Sequence, residues 1–362
     1  MSAVQSIWYG AGLGARVARA ALAPASWIFR AGVALRAWRF ARTPGAEQEP
    51  LIPALSVGNI TVGGTGKTPV AAWAAEALLA RGASPAIVMR GYGGDEPLVH
   101  LRLNPRAPVI VDADRVHGAA RARDAGADCI ILDDAFQHRR IARVSDWVLI
   151  SAERWRDDLR LLPAGPLREP LAALARADIL IVTRKSASCA EADAIADRLS
   201  AQFPHLGVAI CHLSLESVVD VRTGDRHPVT WLAGRRVVAA AAVGEPLAFF
   251  AQLHGVGARV EERMFRDHHA FSAGDVSELV AAADRRAGVV CTLKDAVKLA
   301  PLWPAVAAPL WYVSQIAVIE RGEAVLQRAL DAVLAARQAP TSTAGPAGPS
   351  SHSHGYRSST AD

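Results

Sequence analysis

Cysteines are few in this chain, and their spacing matches no metal site. Cys129, Cys189, Cys211 and Cys291 are scattered over 362 residues, and several of them lie in apolar runs. Zinc sites need closely spaced cysteines or histidines, so the sequence does not predict one. We expect reduced, buried thiols in a protein that works in the redox environment of the cytosol.

Long hydrophobic runs are also absent. No uninterrupted apolar segment approaches the ~20 residues that a membrane-spanning helix needs. No small-residue cleavage site follows an apolar segment near the start, so we do not predict a signal peptide. The apolar fraction of 51% nevertheless predicts a globular protein rather than a disordered one. A chain of this length can form two domains with separate cores.

Lysine and acidic residues are missing from residues 1–42, which carry six arginines. The whole chain has a net charge of +5, and subtracting this +6 leaves −1 for the rest. The basic character therefore belongs to the N-terminal segment, while the body of the protein is close to neutral. This distribution favours a membrane surface as partner, and we predict no nucleic-acid partner.

The N-terminal segment combines its arginines with aromatic residues. On a helix, five of its apolar side chains form one stripe: Trp27, Ala31, Ala34, Leu35 and Trp38. Such a stripe suits the headgroup boundary of a bilayer, although Arg30 and Arg42 border it. We favour contact with a membrane interface; the alternative is a helix that packs on the protein's own core.

The segment from Ser56 to Pro69, Ser-Val-Gly-Asn-Ile-Thr-Val-Gly-Gly-Thr-Gly-Lys-Thr-Pro, has the features of a nucleotide-binding P-loop. It follows an apolar strand pattern and precedes a helical pattern, which is the context that such a loop requires. Lys67 would reach the β- and γ-phosphates, and the Thr68 hydroxyl would bind Mg²⁺. The strict pattern has glycine where this chain has Thr61. The predicted nucleotide-binding residues are Thr61, Val62, Gly63, Gly64, Thr65, Gly66, Lys67 and Thr68.

Two acids end an apolar strand pattern in Cys129-Ile-Ile-Leu-Asp133-Asp134. Carboxylates at the end of a strand beside a P-loop hold Mg²⁺ directly or through water, so we predict this role for both. Paired acids also cap helices, which is the alternative. Gln137 and His138 follow closely enough to support the site.

Candidate acid–base residues lie in two further segments. Asp95 and Glu96 follow a predicted strand, where a carboxylate could accept the proton of a substrate hydroxyl; a simple turn before Pro97 is the alternative. In Asp267-His268-His269 an imidazole backed by Asp267 could orient a base or take a proton.

Cations that an anionic substrate would need occur in three places. They are Arg115, Arg168 with the adjacent Glu169, and the pair Lys294 and Lys298. Surface ion pairs would explain any one of them.

Short apolar runs alternate with helical patterns, which predicts an α/β fold with a mostly parallel sheet. Predicted strands are 86–89, 109–111, 129–132, 147–150, 179–182, 208–211, 237–243, 289–292 and 311–313, and predicted helices are 70–81, 116–125, 190–202, 246–253 and 322–336.

Five segments follow from these patterns. They are a basic, Trp-rich helical arm at residues 1–45, a P-loop core at 46–212, a hairpin-like linker at 213–230, a smaller C-terminal α/β domain at 231–337 and a disordered tail at 338–362. The linker alternates around a turn at Thr223-Gly-Asp225, and the tail is rich in Ser, Thr, Gly, Pro and His.

Taken together, these segments resemble the tetraacyldisaccharide 4′-kinase family, the lipid A 4′-kinases of Gram-negative bacteria. The matching pieces run in family order and cover nearly the whole chain except the tail. They are Gly58 to Pro69, Arg90-Gly-Tyr-Gly93, Gly94-Asp-Glu-Pro97, Asp133-Asp-Ala-Phe-Gln-His138, Leu162 to Pro170, Asp267-His268 and Thr292 to Lys298. This chain departs from the family by fusing the Arg90 and Gly94 motifs, so the loop before Asp95 is shorter.

The resemblance implies transfer of the γ-phosphate of ATP, with Mg²⁺, to the 4′-hydroxyl of a tetraacyl-disaccharide 1-phosphate, forming lipid IVA. It implies a peripheral protein at the cytoplasmic face of the inner membrane, and a P-loop core joined by a two-stranded linker to a smaller domain. The implied roles are phosphate and metal binding by Lys67, Thr68, Asp133 and Asp134, proton abstraction by Asp95 with His268, and support from Glu96, Arg115, Gln137, His138, Arg168, Glu169 and Asp267. A P-loop switch protein that hydrolyses nucleotide without a lipid acceptor is the alternative.

Overall fold

The structure is a computed structural model that describes residues 3–91 and 94–338. Within these residues it contains twelve strands and ten α-helices. The strands are Ala54–Asn59 (β1), Pro85–Met89 (β2), Val109–Val111 (β3), Cys129–Asp133 (β4), Ser145–Ser151 (β5), Ile179–Arg184 (β6), Gly207–Asp220 (β7), Arg226–Pro228 (β8), Arg236–Ala241 (β9), Arg259–Met264 (β10), Val289–Thr292 (β11) and Leu310–Arg321 (β12). The helices are Ala3–Tyr9 (α1), Leu13–Arg42 (α2), Lys67–Leu79 (α3), Glu96–Leu103 (α4), Arg115–Asp124 (α5), Cys189–Gln202 (α6), Pro246–Gly255 (α7), Ala273–Ala282 (α8), Leu293–Leu299 (α9) and Glu323–Gln338 (α10).

All strands belong to one sheet, in the order β10-β9-β11-β12-β7-β6-β5-β1-β4-β2-β3, with β8 paired to β7. The pairings of β7 with β12 and with β8 are antiparallel, and the other pairings within the described residues are parallel. Strands β1, β2, β4 and β5 are buried at every position, as expected for parallel strands covered by helices on both faces. The predicted α/β class with a mostly parallel sheet is confirmed.

Each predicted strand and helix is present, but the sequence patterns missed β10, α4, α8 and α9. Strand β10 carries charged residues at four of its six positions and lies at the edge of the sheet, so it lacks an apolar pattern. Helices α4 and α9, with 8 and 7 residues, are too short to show a clear period. Cys129, Cys211 and Cys291 are buried free thiols as predicted, whereas Cys189 is exposed.

The predicted boundary between core and linker falls inside a strand. β7 runs without interruption from Gly207 to Asp220, and only the turn from β7 to β8 forms a hairpin within residues 213–230. The two strands that join the halves of the sheet are β7 and β12, which are far apart in sequence. The division into five segments therefore stays a prediction, and residues 339–362 of the predicted tail, like Tyr92 and Gly93, lie outside the described residues.

The register of β7 makes the parallel strands of the two halves point toward each other. Arg184, at the carboxyl end of β6, is opposite His212 of β7. From the other side, Thr292 at the carboxyl end of β11 pairs with Val313, which is opposite Val218 of β7. Because ligands bind at the carboxyl ends of parallel strands, the middle of β7 marks the floor of a shared cleft.

We predict that Gly58→Ala destabilises this core by about 1–3 kcal/mol, as overpacking typically does. A Cβ on Gly58 of β1 would lie 2.6 Å from Phe136 Cβ and 2.8 Å from its backbone nitrogen. Gly32→Ala on α2 is the matched control, since its Cβ would meet no atom within 4 Å. Urea unfolding monitored by circular dichroism measures both, and equal stabilities would contradict this packing.

Candidate active site

The P-loop joins the carboxyl end of β1 to the amino end of α3. Gly66 has a left-handed conformation (φ 84°), and Lys67 begins the helix, so the helix amino terminus faces the loop's interior. Buried Thr65 fixes the loop: its hydroxyl accepts a hydrogen bond from Asn59 (2.9 Å), and its carbonyl accepts one from Thr183 (2.9 Å). The anion-binding loop is thus held in place by side chains from β1 and β6.

A cleft of about 890 Å³ opens over this loop, between the two halves of the sheet. The predicted residues that line it are Val62, Gly63, Gly64, Thr65, Gly66, Lys67, Thr68, Glu96, Arg115, Asp133, Asp134, Gln137, His138, Arg168, Asp267, His268 and Lys294. Four predicted residues do not line it: Thr61, Asp95, Glu169 and Lys298. The backbone of Thr61 pairs with Leu167, and Glu169 accepts a hydrogen bond from Arg176 (2.8 Å).

Asp134 lies between two cations in this cleft. Its Oδ1 is 3.5 Å from Lys67 Nζ, and Arg168 donates to both carboxylate oxygens at 3.0 and 3.1 Å. Burial favours the neutral acid, but the Lys67 ammonium and the Arg168 guanidinium outweigh it and hold the pKa of Asp134 below its usual value. Asp134 is therefore a carboxylate that orients the P-loop lysine.

Asp133 has a different environment. It is buried at the end of β4, and its Oδ2 lies 2.9 Å from Nε2 of His100, a fully buried residue of α4. Its Oδ1 is buried and has no hydrogen-bond partner. This free oxygen, the Thr68 hydroxyl and Asp134 are hard oxygen donors of the kind that Mg²⁺ prefers, so these residues fit the ion. In the part of the chain that the structure describes, no cluster of three His, Cys, Asp or Glu side chains could hold a metal by itself; Mg²⁺ at phosphate sites needs only one or two carboxylates.

Asp95 lies just below the cleft surface, with 4% of its area exposed, immediately before α4. Three nitrogens from the C-terminal half surround its Oδ2: His268 Nδ1 and Lys298 Nζ at 3.8 Å, and Lys294 Nζ at 3.9 Å. Neither carboxylate oxygen has a hydrogen-bond partner. Asp267, predicted to back the imidazole, is 4.0 Å from His268 Nε2, which is longer than a hydrogen bond. Asp95 is thus a buried carboxyl group with free lone pairs, close to an imidazole and two lysine ammonium groups.

The remaining predicted residues of the cleft have pKa values shifted by burial and by neighbouring charges, or form hydrogen bonds with the P-loop region. Burial lowers the pKa of Arg115, while Asp134 and Asp133 oppose this effect. Burial and the nearby Arg115 lower the pKa of His138 to about 4, so its imidazole is neutral at pH 7. Burial raises the pKa of Glu96, and Lys294, with Nζ 3.6 Å from its carboxylate, opposes the shift. Gln137 donates to the carbonyl of Asn59 at 2.7 Å.

Sequence patterns missed several residues of this site, above all His100, Arg154, Lys185 and Glu245. His100 carried no sequence signal, because its helix α4 was itself not predicted. A stronger signal exists in the composition: only four of the 40 basic residues are lysines. These are Lys67, Lys185, Lys294 and Lys298, and every one contacts a P-loop residue, Asp134 or Asp95.

Comparisons with known proteins agree with this geometry. A family model described as LpxK, Tetraacyldisaccharide-1-P 4′-kinase, matches residues 18–335. The chain belongs to this kinase family. A tetraacyldisaccharide 4′-kinase of Halorhodospira halophila is 38% identical over 331 residues, covering 85% of this chain and 90% of that protein. One of Anaeromyxobacter sp. (strain Fw109-5) is 36% identical over 376 residues, covering 92% and 97%.

The predicted 4′-kinase family is therefore confirmed, and with it the prediction of a kinase. The match extends from α2 to α10 and includes the P-loop, Asp133 at the end of β4, the adjacent Asp134, and His268. LpxK from Aquifex aeolicus, solved as a complex with ATP, has the same fold, with a TM-score of 0.66 at 24% identity over 87% of this chain and 99% of that one.

We predict that His100→Ala lowers both stability and activity, because it leaves the buried Asp133 carboxylate without its partner. The loss in unfolding free energy should be about 1–3 kcal/mol or more. The control is His117→Ala, since His117 also pairs with an aspartate, Asp112, but its side chain is 67% exposed. That change should alter stability by less than about 0.5 kcal/mol. Similar losses in the two variants, measured by urea unfolding and turnover, would contradict the role of His100.

Proposed function

We propose that this member of the 4′-kinase family transfers the γ-phosphate of ATP to the 4′-hydroxyl of a tetraacyldisaccharide 1-phosphate, the lipid A precursor, to form lipid IVA. The observation that carries the proposal is that the P-loop and His268 line one cleft, and that a buried carboxyl group with free lone pairs, Asp95, lies 3.8 Å from His268 just below the surface of that cleft. The names of the relatives at 36–38% identity support the acceptor. The ATP complex of the Aquifex protein supports the donor.

In this proposal Asp95 accepts the proton of the 4′-hydroxyl while the oxygen of that hydroxyl attacks the γ-phosphorus of ATP. The bond between the γ-phosphorus and ADP breaks as the new O–P bond forms. The protein forms no covalent bond in this step, and therefore contributes mainly by positioning the reactants and stabilising charge. His268 pairs with Asp95 from the opposite side of the cleft, and Lys294 and Lys298 stabilise the carboxylate before transfer. Lys67 and Arg168 would stabilise charge on the phosphates.

Mg²⁺ would be held by Thr68 with Asp133 and Asp134. When bound, such an ion neutralises negative charge on the β- and γ-phosphates. The hydrogen bond from His100 would keep Asp133 oriented with its other oxygen free, and the contact with Lys67 would keep Asp134 ionised.

We further infer that α2 rests on a membrane surface, at the cytoplasmic face of the inner membrane. One side of the helix packs on the body: Ser26 is buried, donates to the carbonyl of Leu161 (3.0 Å) and accepts from the amide of Ala164 (3.1 Å). At 100° per residue the opposite side carries exposed apolar residues: Leu13, Val17, Trp27, Ile28, Leu35 and Trp38. The side chain of Trp27 is 70% exposed and that of Trp38 is 52% exposed.

This apolar face is flanked by Arg16 and Arg39 and ends at the exposed Arg42, a pattern that suits an interfacial helix and argues against the alternative of a helix buried in the core. None of the helices in residues 3–91 and 94–338 has the length and apolar content that crossing a bilayer requires. Near its carboxyl end, Arg36 donates to the carbonyl of Gln137 beside the cleft. The arm would therefore bring the cleft close to acylated substrates.

The kinase proposal predicts that the wild type transfers radiolabelled γ-phosphate from ATP to a tetraacyldisaccharide 1-phosphate in mixed micelles. Lys67→Ala should reduce the rate at least about a hundredfold, because a charge-stabilising group is lost. The control is Arg285→Ala, which removes a cation that is 93% exposed and should keep full activity. Release of phosphate from ATP without a labelled lipid would instead favour a P-loop switch.

The membrane proposal predicts that a Trp27→Ser, Trp38→Ser double variant binds vesicles of phosphatidylglycerol and phosphatidylethanolamine at least about tenfold more weakly than the wild type, because apolar area is lost from the interface. Point substitutions are preferable to deletion of the arm, since Trp8 donates to the carbonyl of Pro163 (2.9 Å) and its loss would expose the body. The control is Leu302→Ser with Val306→Ser, which are exposed apolar residues outside the arm. Equal binding of both double variants in a flotation assay would refute the proposal.

A further inference from the structure

The loop between β9 and α7 carries a buried carboxylate that reaches across the cleft. Glu245, which belongs to the C-terminal half, is 7% exposed. Its Oε1 lies 2.9 Å from Arg154 Nε and accepts a hydrogen bond from the Ser151 hydroxyl at 3.0 Å, and its Oε2 pairs with Lys185. Ser151 is the last residue of β5, Arg154 lies three residues beyond it, and Lys185 follows the carboxyl end of β6. A single side chain therefore joins the two halves.

The two cations that hold Glu245 also lie on the P-loop. Lys185 Nζ donates to the carbonyl of Gly64 at 3.1 Å. A Cβ on Gly63 would lie 2.6 Å from a guanidinium nitrogen of Arg154, and a Cβ on Gly244 would lie 3.1 Å from the amide nitrogen of Gly64. The loop of Glu245 and the P-loop are thus in direct contact, and glycine at position 244 permits this close approach.

The other end of the same loop fixes the backbone of His268. The carbonyl of Ala242 accepts the His268 amide hydrogen at 3.1 Å, and the Ala242 amide donates to the buried carboxylate of Asp295 at 3.1 Å. Asp295 lies in α9, the helix that carries Lys294 and Lys298. The short segment from Ala242 to Glu245 therefore connects the P-loop to three groups that surround Asp95.

We propose that Glu245 is a positioning residue, which ties the C-terminal half to the P-loop and so sets where His268 stands relative to Asp95 and the nucleotide. This inference rests on the proposed kinase function and on the role given there to His268. Removal of the Glu245 charge should be costly, because it would leave the positive charges of Arg154 and Lys185 uncompensated in a buried site. Geometry explains why it matters, because a displacement of about 1 Å in a catalytic group can cost about a hundredfold in rate.

The first test compares Glu245→Gln with Glu278→Gln, an exposed glutamate on α8. Glu245→Gln should lower kcat about tenfold or more, because His268 is no longer held in place. The KM for ATP should stay within about twofold or fall, since Arg154 and Lys185 remain beside the P-loop while a negative charge near the phosphates is removed. Glu278→Gln should match the wild type. An unchanged kcat, or a higher KM for ATP without a loss in kcat, would overturn the inference.

The second test repeats Glu245→Gln in a His268→Ala background. If Glu245 acts through His268, the extra loss there should be less than about twofold, because residues that act as a unit are not additive. An equal loss in both backgrounds would mean that Glu245 acts on the fold or on the P-loop alone. If His268→Ala keeps wild-type turnover, the role proposed for His268 in the kinase reaction is refuted. That result can be distinguished from one that refutes only the positioning role of Glu245.

A third readout does not depend on activity. Because the chain has only four lysines, amine-reactive labelling followed by mass spectrometry reports on the site alone, apart from the amino terminus. Glu245→Gln should raise the labelling of Lys185 severalfold relative to Lys67, whose partner Asp134 is unchanged. Unchanged labelling of Lys185 would overturn the inference. Should Glu245→Gln not fold, Glu245→Asp, which keeps the charge but shortens its reach, should show the same coupling to His268 with a smaller loss.

Discussion

The antiparallel pairing of β7 with β12 is the constraint on which the rest of the structure depends. In a purely parallel sheet the carboxyl ends of all strands lie on one edge, and a ligand site has a floor but no facing wall. Here the direction changes at β7 and β12, so β6 and β11 end at the middle of the same strand from opposite sides. The P-loop and the loops of the C-terminal half therefore face each other across one cleft.

Charge in that cleft is arranged in separate groups, each held by specific partners; Asp133 and Glu245 are buried, whereas Asp134 is partly exposed. Asp134 lies between Lys67 and Arg168, Asp133 is bound to His100, and Glu245 is held by Arg154 and Lys185. A buried carboxylate without such partners would be neutral, since desolvation disfavours its charged form. At Asp134 the Lys67 ammonium and the Arg168 guanidinium hold the pKa of the carboxyl below its usual value.

The chain's four lysines all lie at or beside this cleft, where positive charge is needed near phosphates and acidic side chains. Arginine supplies nearly all the positive charge on the surface, where its planar group forms paired contacts with acids. Lysine is a compact point charge, which suits a phosphate oxygen or a buried carboxylate that must stay free of hydrogen bonds. Asp95 is such a carboxylate, since Lys294 and Lys298 lie near it but beyond hydrogen-bond distance.

By itself, the sequence determined those features that are encoded in contiguous residues. The P-loop, the acids that end β4, the alternation of strands and helices and the apolar stripe of α2 are local patterns, and each can be read from neighbours in the chain. Only the tertiary structure decided that Asp133 meets His100, that Glu245 meets Arg154 and Lys185, and that β12, in addition to the local hairpin partner β8, pairs with β7. These contacts join residues from distant segments, and no periodicity reports on which strand ends meet. They depend on strand order and register, which are set by packing of the whole sheet.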